Sequence, residues 1–335
     1  MTARTRIAVV GAGGWGTALA AHLGSLGHPV SLWGRDPVLM REIAERRANP
    51  TYLPDVTLPP PVQPTARLDQ TVADSSHIVI AVPSHGLRAV VRAAAPHIPA
   101  GAILISATKG LEGGTLHRMS EVLADETGRR HAIVVLSGPS FAAEVARQQP
   151  TALVAASSDP AAVQSVQDEF RGPFLRLYGS SDVVGVEIGG ALKNIIAIAA
   201  GVVESLSLGN NAVAALITRG LAEISRLACA QGGQRETLAG LSGLGDLVLT
   251  CTGALSRNRH VGIELGHGRP LPEILASMRT VAEGVRTTDA ALALGAQLGV
   301  ELPIAAQMAE VLSGRKTPKE AVVDLMLRPQ KGEMQ

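Results

Sequence analysis

The chain has 335 residues, with 30 basic and 29 acidic side chains and a net charge of +1. That balance sets up no broad field for nucleic acid or an anionic membrane, so any anion site must be local. Hydrophobic residues make up 46% but aromatics only 2%, which argues against ring-stacking platforms for single strands and leaves Ala, Val, Leu and Ile to build the cores.

Length favours two domains. Arg4 and Arg6 ahead of the apolar stretch Ile7–Ala21 imitate an export signal. The four glycines inside that stretch suit a nucleotide turn better than a signal helix. Cys229 and Cys251 cannot form a disulfide framework and fit a reducing, cytoplasmic compartment, both read as core or near-core thiols.

Short β-branched runs alternate with helical segments through the first half. Strands are predicted at Arg6–Val10, Val30–Trp33, His77–Val82, Ala102–Ser106 and Ala132–Leu136. Ala152–Ala156 and Leu175–Tyr178 are expected to extend the same sheet. The proline-rich stretch Asn49–Pro64 reads as an irregular surface excursion. This alternation implies right-handed crossovers and a mostly parallel, doubly wound sheet.

Beyond Asp182 the strand signals stop. Helices are predicted at Val183–Leu206, Asn211–Gln231, Ser256–Leu265, Leu271–Ser277, Thr287–Leu298, Ile304–Ser313 and Pro318–Leu325, with glycine-rich breaks such as Leu241–Gly245. The nearly all-apolar run Ile188–Val203 falls short of about 20 spanning residues. It is expected to be a buried helix, with no stable membrane insertion. The fold class is therefore α/β: a doubly wound Rossmann domain over residues 1–181, followed by an all-α domain over 182–335.

Gly11-x-Gly13-x-x-Gly16 directly follows the first strand and opens a helix. Gly11 permits the tight turn, Gly13 lets backbone approach a pyrophosphate, and Gly16 allows close helix–strand packing. The helix N-terminus adds free N–H groups and partial positive charge. The second strand ends at Trp33-Gly-Arg35-Asp36, where an acid would hold a ribose hydroxyl and an arginine a 2′-phosphate. Arg35 inclines the reading from NADH towards NADPH, while Asp36-Pro37 also suits a helix N-cap. The turns at Val82-Pro83-Ser84, Ser106–Gly110 and Ser137–Ala142 follow strand ends and border the same crevice. Lys109 is either a partner for a substrate anion or hydroxyl, or an exposed loop lysine.

Lys193 is the only charge in Ile188–Gly201. A lysine in an apolar helix is costly to bury unless paired or partly neutralised, and desolvation brings its pKa towards neutrality, where it can serve as an acid or base. The alternative is a stem that snorkels to the surface. Gly189 and Gly190 would let another segment or ligand come close. Asp246 follows two glycines and either points into a site or caps the next helix. Ser256-Arg257-Asn258-Arg259 at a helix start is either an anion nest or a solvated basic turn. No His and Cys set at zinc spacing is present, and no metal is expected.

Taken together, Gly11–Ala20, Ala107–Leu111, Ser137–Ala142, Gly190–Asn194, Leu216–Glu223, Gly243–Thr252 and Ser256–Arg259 resemble the bacterial NAD(P)-dependent glycerol-3-phosphate dehydrogenase family over nearly the whole chain. The resemblance implies reduction of dihydroxyacetone phosphate to sn-glycerol 3-phosphate, the precursor of the phospholipid backbone. It implies Lys193 as the acid/base, with Lys109, Gly138, Ser140, Asp246, Ser256, Arg257 and Asn258 as further substrate contacts. It also implies Gly14, Trp15, Arg35, Lys109, Ala142, Arg257, Val281 and Glu283 as cofactor contacts, beside Gly11, Gly13 and Gly16 of the turn. The alternatives are a related two-domain β-hydroxyacid or ketoacid reductase, and a non-catalytic dinucleotide-binding redox sensor. The expected partner is a small phosphorylated substrate, with no nucleic acid. A homodimer is compatible with the Ala- and Gly-rich helices, which would look the same packed within one subunit.

Overall fold

A computed structural model describes residues 4–278, 281–330 and 332. The strands are β1 Ile7–Val10, β2 Val30–Trp33, β3 Ala48–Asn49, β4 Leu53–Thr57, β5 Val62–Thr65, β6 His77–Ile80, β7 Ile103–Ser106, β8 Ile133–Ser137, β9 Thr151–Ala156 and β10 Leu175–Ser180. Eight of them form one sheet in the order β10-β9-β8-β7-β6-β1-β2-β5.

Side chains in the central strands alternate between two buried layers. Ile7 and Val9 enter one core, while Ala8 and Val10 enter the other. A sheet covered by helices on both faces needs strands that are apolar throughout, which is how these segments read. The order reverses direction between β1 and β6, so the loops after these strands open a crevice at their carboxyl ends.

The sheet is mostly parallel as expected, and two of its features are not evident from the sequence. The pair β8–β9 is antiparallel, although β9 and β10 run parallel to each other. The helix between β8 and β9, Ala142–Ala146, has only five residues, about 7.5 Å of rise. It is too short to carry the chain back along β8, so β9 itself makes the return.

The proline-rich excursion is also more ordered than its composition suggested. It holds a small β3–β4 hairpin and then β5, which pairs with β2 at the sheet edge. Pro64 is accommodated because an edge strand leaves one side without ladder partners. Asn49 is fully buried and donates to Ala12 O and Thr17 Oγ1, each at 2.9 Å, while accepting from Tyr52 N. A surface loop in composition thus braces the glycine turn.

After Ser180 the described chain is helical. Asp182 caps the helix Val183–Ser205 by accepting from Gly185 N at 2.8 Å, and it also accepts from Gln234 N. Every residue from Gly185 to Val203 is buried, because the other helices pack around this one. A helix that is apolar on all sides belongs in such a position. It is the one described helix long and apolar enough to cross a membrane, and here it forms the domain core. The helix Arg257–Gly266 crosses it closely: a Cβ on Gly201 would lie 2.0 Å from Arg259 O. Cys251 is buried as expected, whereas Cys229 is exposed.

Candidate active site

The glycine turn has the geometry that its spacing predicts. Gly11 has φ +124°, and a Cβ there would lie 2.6 Å from Ala81 O. A Cβ on Gly16 would lie 1.9 Å from Gly11 O. These two glycines are required by the protein's own backbone. A Cβ on Gly13 would meet nothing within 4 Å, so the space before it is open to a ligand. The helix Gly14–Ser25 has no side-chain cap, which leaves its first N–H groups facing that space. The buried Trp15 Nε1 likewise has no hydrogen-bond partner among the described residues. A dinucleotide fits this cradle.

Around the turn, Gly14 faces Tyr52 O and Ala142. Asp36 is committed to capping the next helix, accepting from Val38 N at 2.8 Å and Leu39 N at 3.4 Å. Arg35 beside it is exposed and makes no ion pair among the described residues. The N-cap reading of Asp36 and the phosphate reading of Arg35 are therefore compatible.

The helical domain brings its own residues to this edge. A π-helical turn over Leu241–Gly245 packs on the long helix and delivers Asp246. Such turns are often found at functional sites. A Cβ on Gly189 would lie 2.7 Å from Ser242 O, so that glycine is what admits the turn. Gly245 occupies the cap position, and the Asp246 side chain points elsewhere.

Asp246 lies between two lysines. Lys193 Nζ donates to Asp246 Oδ1 at 2.5 Å and to Thr250 Oγ1 at 2.8 Å. Lys109 Nζ donates to Asp246 Oδ2 at 2.6 Å and to Gly138 O at 3.0 Å. Lys109 is thus neither a solvated loop lysine nor remote, and Lys193 does not snorkel. Burial lowers the Lys193 ammonium to about 8; Asp246 opposes the shift and the like charge of Lys109 adds to it. For Asp246, burial alone would raise the carboxyl, but Lys109 and Lys193 together hold it below its ordinary value. Ser140 Oγ donates to Gly138 O at 3.0 Å, which places it at the same corner.

The remaining predicted residues sit along the flank of this centre. Ser256 accepts from Arg259 N and caps the helix that Arg257 begins. Arg257 is exposed, makes no hydrogen bond or ion pair among the described residues and is free to take an anion; desolvation lowers its pKa, and the nearby Glu283 carboxylate works against that shift. Asn258 is buried and engaged within the protein: Nδ2 donates to Asn194 Oδ1 and Oδ1 accepts from Gly284 N, both at 2.9 Å. Glu283 accepts from Ser84 Oγ at 2.6 Å and Ser84 N at 3.3 Å, joining the helical domain to the turn after β6. Val281 is half-buried just before the helix Glu283–Leu298.

Sequence reasoning gives no individual role to Thr250, Asn194, Ser84 or Asn49. Thr250 and Asn194 lie inside motifs whose signal comes from their charged neighbours, Asp246 and Lys193. Ser84 belongs to a turn expected at the crevice, but nothing in the sequence pairs it with Glu283.

Residues 6–163 match the family model for the NAD-dependent glycerol-3-phosphate dehydrogenase N-terminus, and residues 182–323 match that for its C-terminus. Glycerol-3-phosphate dehydrogenase [NAD(P)+] of Syntrophotalea carbinolica is 51% identical over 330 residues, covering 98% of this chain and 99% of that one. The crystal structure of glycerol-3-phosphate dehydrogenase from Coxiella burnetii superposes with a TM-score of 0.94 at 39% identity, covering 97% of this chain and 99% of that one. A ketopantoate reductase from Ralstonia eutropha, at 14% identity and a TM-score of 0.60 over 95% of this chain and 100% of its own, shares the fold alone.

Proposed function

The chain belongs to the NAD-dependent glycerol-3-phosphate dehydrogenase family, and from that premise we propose how its residues divide the work. It is an NAD(P)-dependent oxidoreductase that reduces dihydroxyacetone phosphate to sn-glycerol 3-phosphate, supplying the backbone for phospholipid synthesis. The observation that carries the mechanism is the Lys109–Asp246–Lys193 bridge beside an open glycine cradle. The reductase and redox-sensor alternatives are not favoured.

When bound, the dinucleotide supplies the hydride. Gly13, Gly14 and the uncapped helix N-terminus would hold its phosphates, with Trp15, Ala142, Val281 and Glu283 along its length. Arg35 is free to pair with a 2′-phosphate, and this supports a preference for NADPH over NADH.

Lys193 protonates the substrate oxygen as its carbon is reduced. With its pKa near 8, the ammonium is both populated at neutral pH and able to release its proton. Lys109 stabilises negative charge on the same oxygen. Asp246 holds the two like charges in place, and Thr250 fixes the Lys193 rotamer. Arg257 grips the phosphate, with Ser140 and Gly138 at the facing corner. Asn258 and Ser256 act chiefly by orienting the Arg257 helix, through the bonds already described.

The division into domains at 181/182 belongs to the same proposal, supported by the Asp182 cap at the start of the helical half. So does a homodimer, supported by the exposed Leu244, Val248 and Leu255 around the helix Asp246–Thr252. Unpaired Cys229 and Cys251 support a reducing, cytoplasmic setting.

The test follows NADPH and NADH absorbance with dihydroxyacetone phosphate for the wild type and Lys193→Ala. Wild-type turnover with a loss of roughly 10²–10⁴ in the variant is expected, with cofactor affinity nearly intact. Full turnover in Lys193→Ala would remove Lys193 from the mechanism.

A further inference from the structure

Glu187 is a buried carboxylate that the mechanism above leaves without a role. It lies on the long helix at 6% exposure. Its Oε1 accepts from Ser120 N at 2.8 Å, and its Oε2 accepts from Ser120 Oγ at 2.6 Å and Arg118 Nη1 at 2.8 Å. Burial raises its carboxyl, and Arg118 and Ser120 work against that shift. Three hydrogen bonds on one buried carboxylate, one of them from a guanidinium, fix its geometry, because losing Arg118 would leave its charge buried and unpaired.

What it fixes follows from helical spacing. Glu187, Gly190 and Lys193 stand three residues apart, on one ridge of the helix. At the first position Glu187 holds Arg118 and Ser120, where the segment that begins with Lys109 ends and the helix Met119–Glu126 starts. At the second, the Lys109 stem packs on Gly190; a Cβ there would lie 3.6 Å from Lys109 Cγ and Cδ and 2.7 Å from Ser137 Oγ. At the third, Lys193 meets Lys109 through Asp246. A bridge between Leu111 and Arg118 closes the segment on itself, so anchoring its end also anchors its beginning. Glu187 and Lys109 line one gap of about 10 Å³ with Thr108, Gly190 and the unpartnered Ser137 hydroxyl.

We propose that Glu187 is a positioning residue for the reaction, holding the Lys109 segment in register with Lys193 so that both ammoniums stay on Asp246. It touches neither substrate nor cofactor. The inference rests on the reading of Lys193 as the proton donor and deepens it.

Glu187→Asp keeps the charge but withdraws it from Ser120 and Arg118, and so separates position from electrostatics. The groups acting on Lys193 are Asp246, Lys109 and Cys251, and Lys109 depresses its pKa. Releasing Lys109 therefore moves the Lys193 limb of the kcat–pH profile to higher pH. The expected result is a kcat loss of roughly 10- to 100-fold, with that limb shifted upward and cofactor binding by fluorescence titration unchanged. Turnover within about twofold of wild type, or a loss with the limb unmoved, would overturn the proposal. Ser120→Ala, which removes one donor and leaves the carboxylate, is read by the same criteria if Glu187→Asp does not fold. Should the wild type itself show no limb near 8, the Lys193 reading fails first, and the two failures are distinct.

Discussion

Lys193 and Asp246 stand 53 positions apart in sequence and meet in a buried ion pair of 2.5 Å. Their pairing joins the core helix of the all-α half to the helix that follows the π turn. Removing a partner from a buried pair leaves an uncompensated charge, at a cost of up to about 3–5 kcal/mol. Asp246→Asn should therefore lower the urea midpoint without changing the m-value. Because Asp246 raises the Lys193 pKa, the kcat limb of any remaining activity should move to lower pH. An unshifted limb would show that the pair does not control Lys193.

Arg257 makes no hydrogen bond or ion pair with any described residue. A charge-assisted hydrogen bond contributes about 1.5–3 kcal/mol, so Arg257→Ala should raise the substrate KM by roughly 10- to 100-fold. Competitive inhibition by inorganic phosphate should weaken in parallel. If only the cofactor KM changed, the phosphate grip would lie elsewhere.

Arg35 is exposed, whereas its neighbour Asp36 is held by Val38 N and Leu39 N. Arg35→Gln should weaken NADPH binding by roughly tenfold or more and leave NADH binding nearly unchanged. Equal losses for both cofactors in fluorescence titrations would refute the 2′-phosphate assignment.

His22 is buried in the helix that the glycine turn opens, and its Nε2 donates to Phe170 O at 2.8 Å. Burial holds its pKa below the ordinary 6.5; the Phe170 bond works against this and His28 adds to it. The folded protein keeps this ring neutral while the unfolded chain takes up a proton first as pH falls. Its share of the stability is thus complete above about pH 6.5 and declines as pH falls towards the folded pKa. Between about pH 7.5 and 5.5 the wild-type urea midpoint should fall further than that of His22→Gln. Equal falls would assign the acid sensitivity to other groups, such as His77, which burial also holds low.

The sequence by itself determined the α/β half, the glycine turn and the helical half, because each has a local physical signature. Short, continuous apolar runs make strands buried on both faces, and longer apolar segments make the helices of the second core. A lone charge in an apolar helix marked Lys193 in the same way. Asn49, Thr250 and Ser84 have no such signature: their roles exist only once distant segments are packed together. The direction of β9 was equally hidden, since it depends on a crossover helix too short to return the chain.

Only the tertiary structure decided that Lys109 and Lys193 share Asp246, and that Asp246 bridges rather than caps. A carboxylate between two ammoniums depends on distance in space, to which chain spacing gives no access. The same holds for Glu187, whose partners lie 67 and 69 positions away.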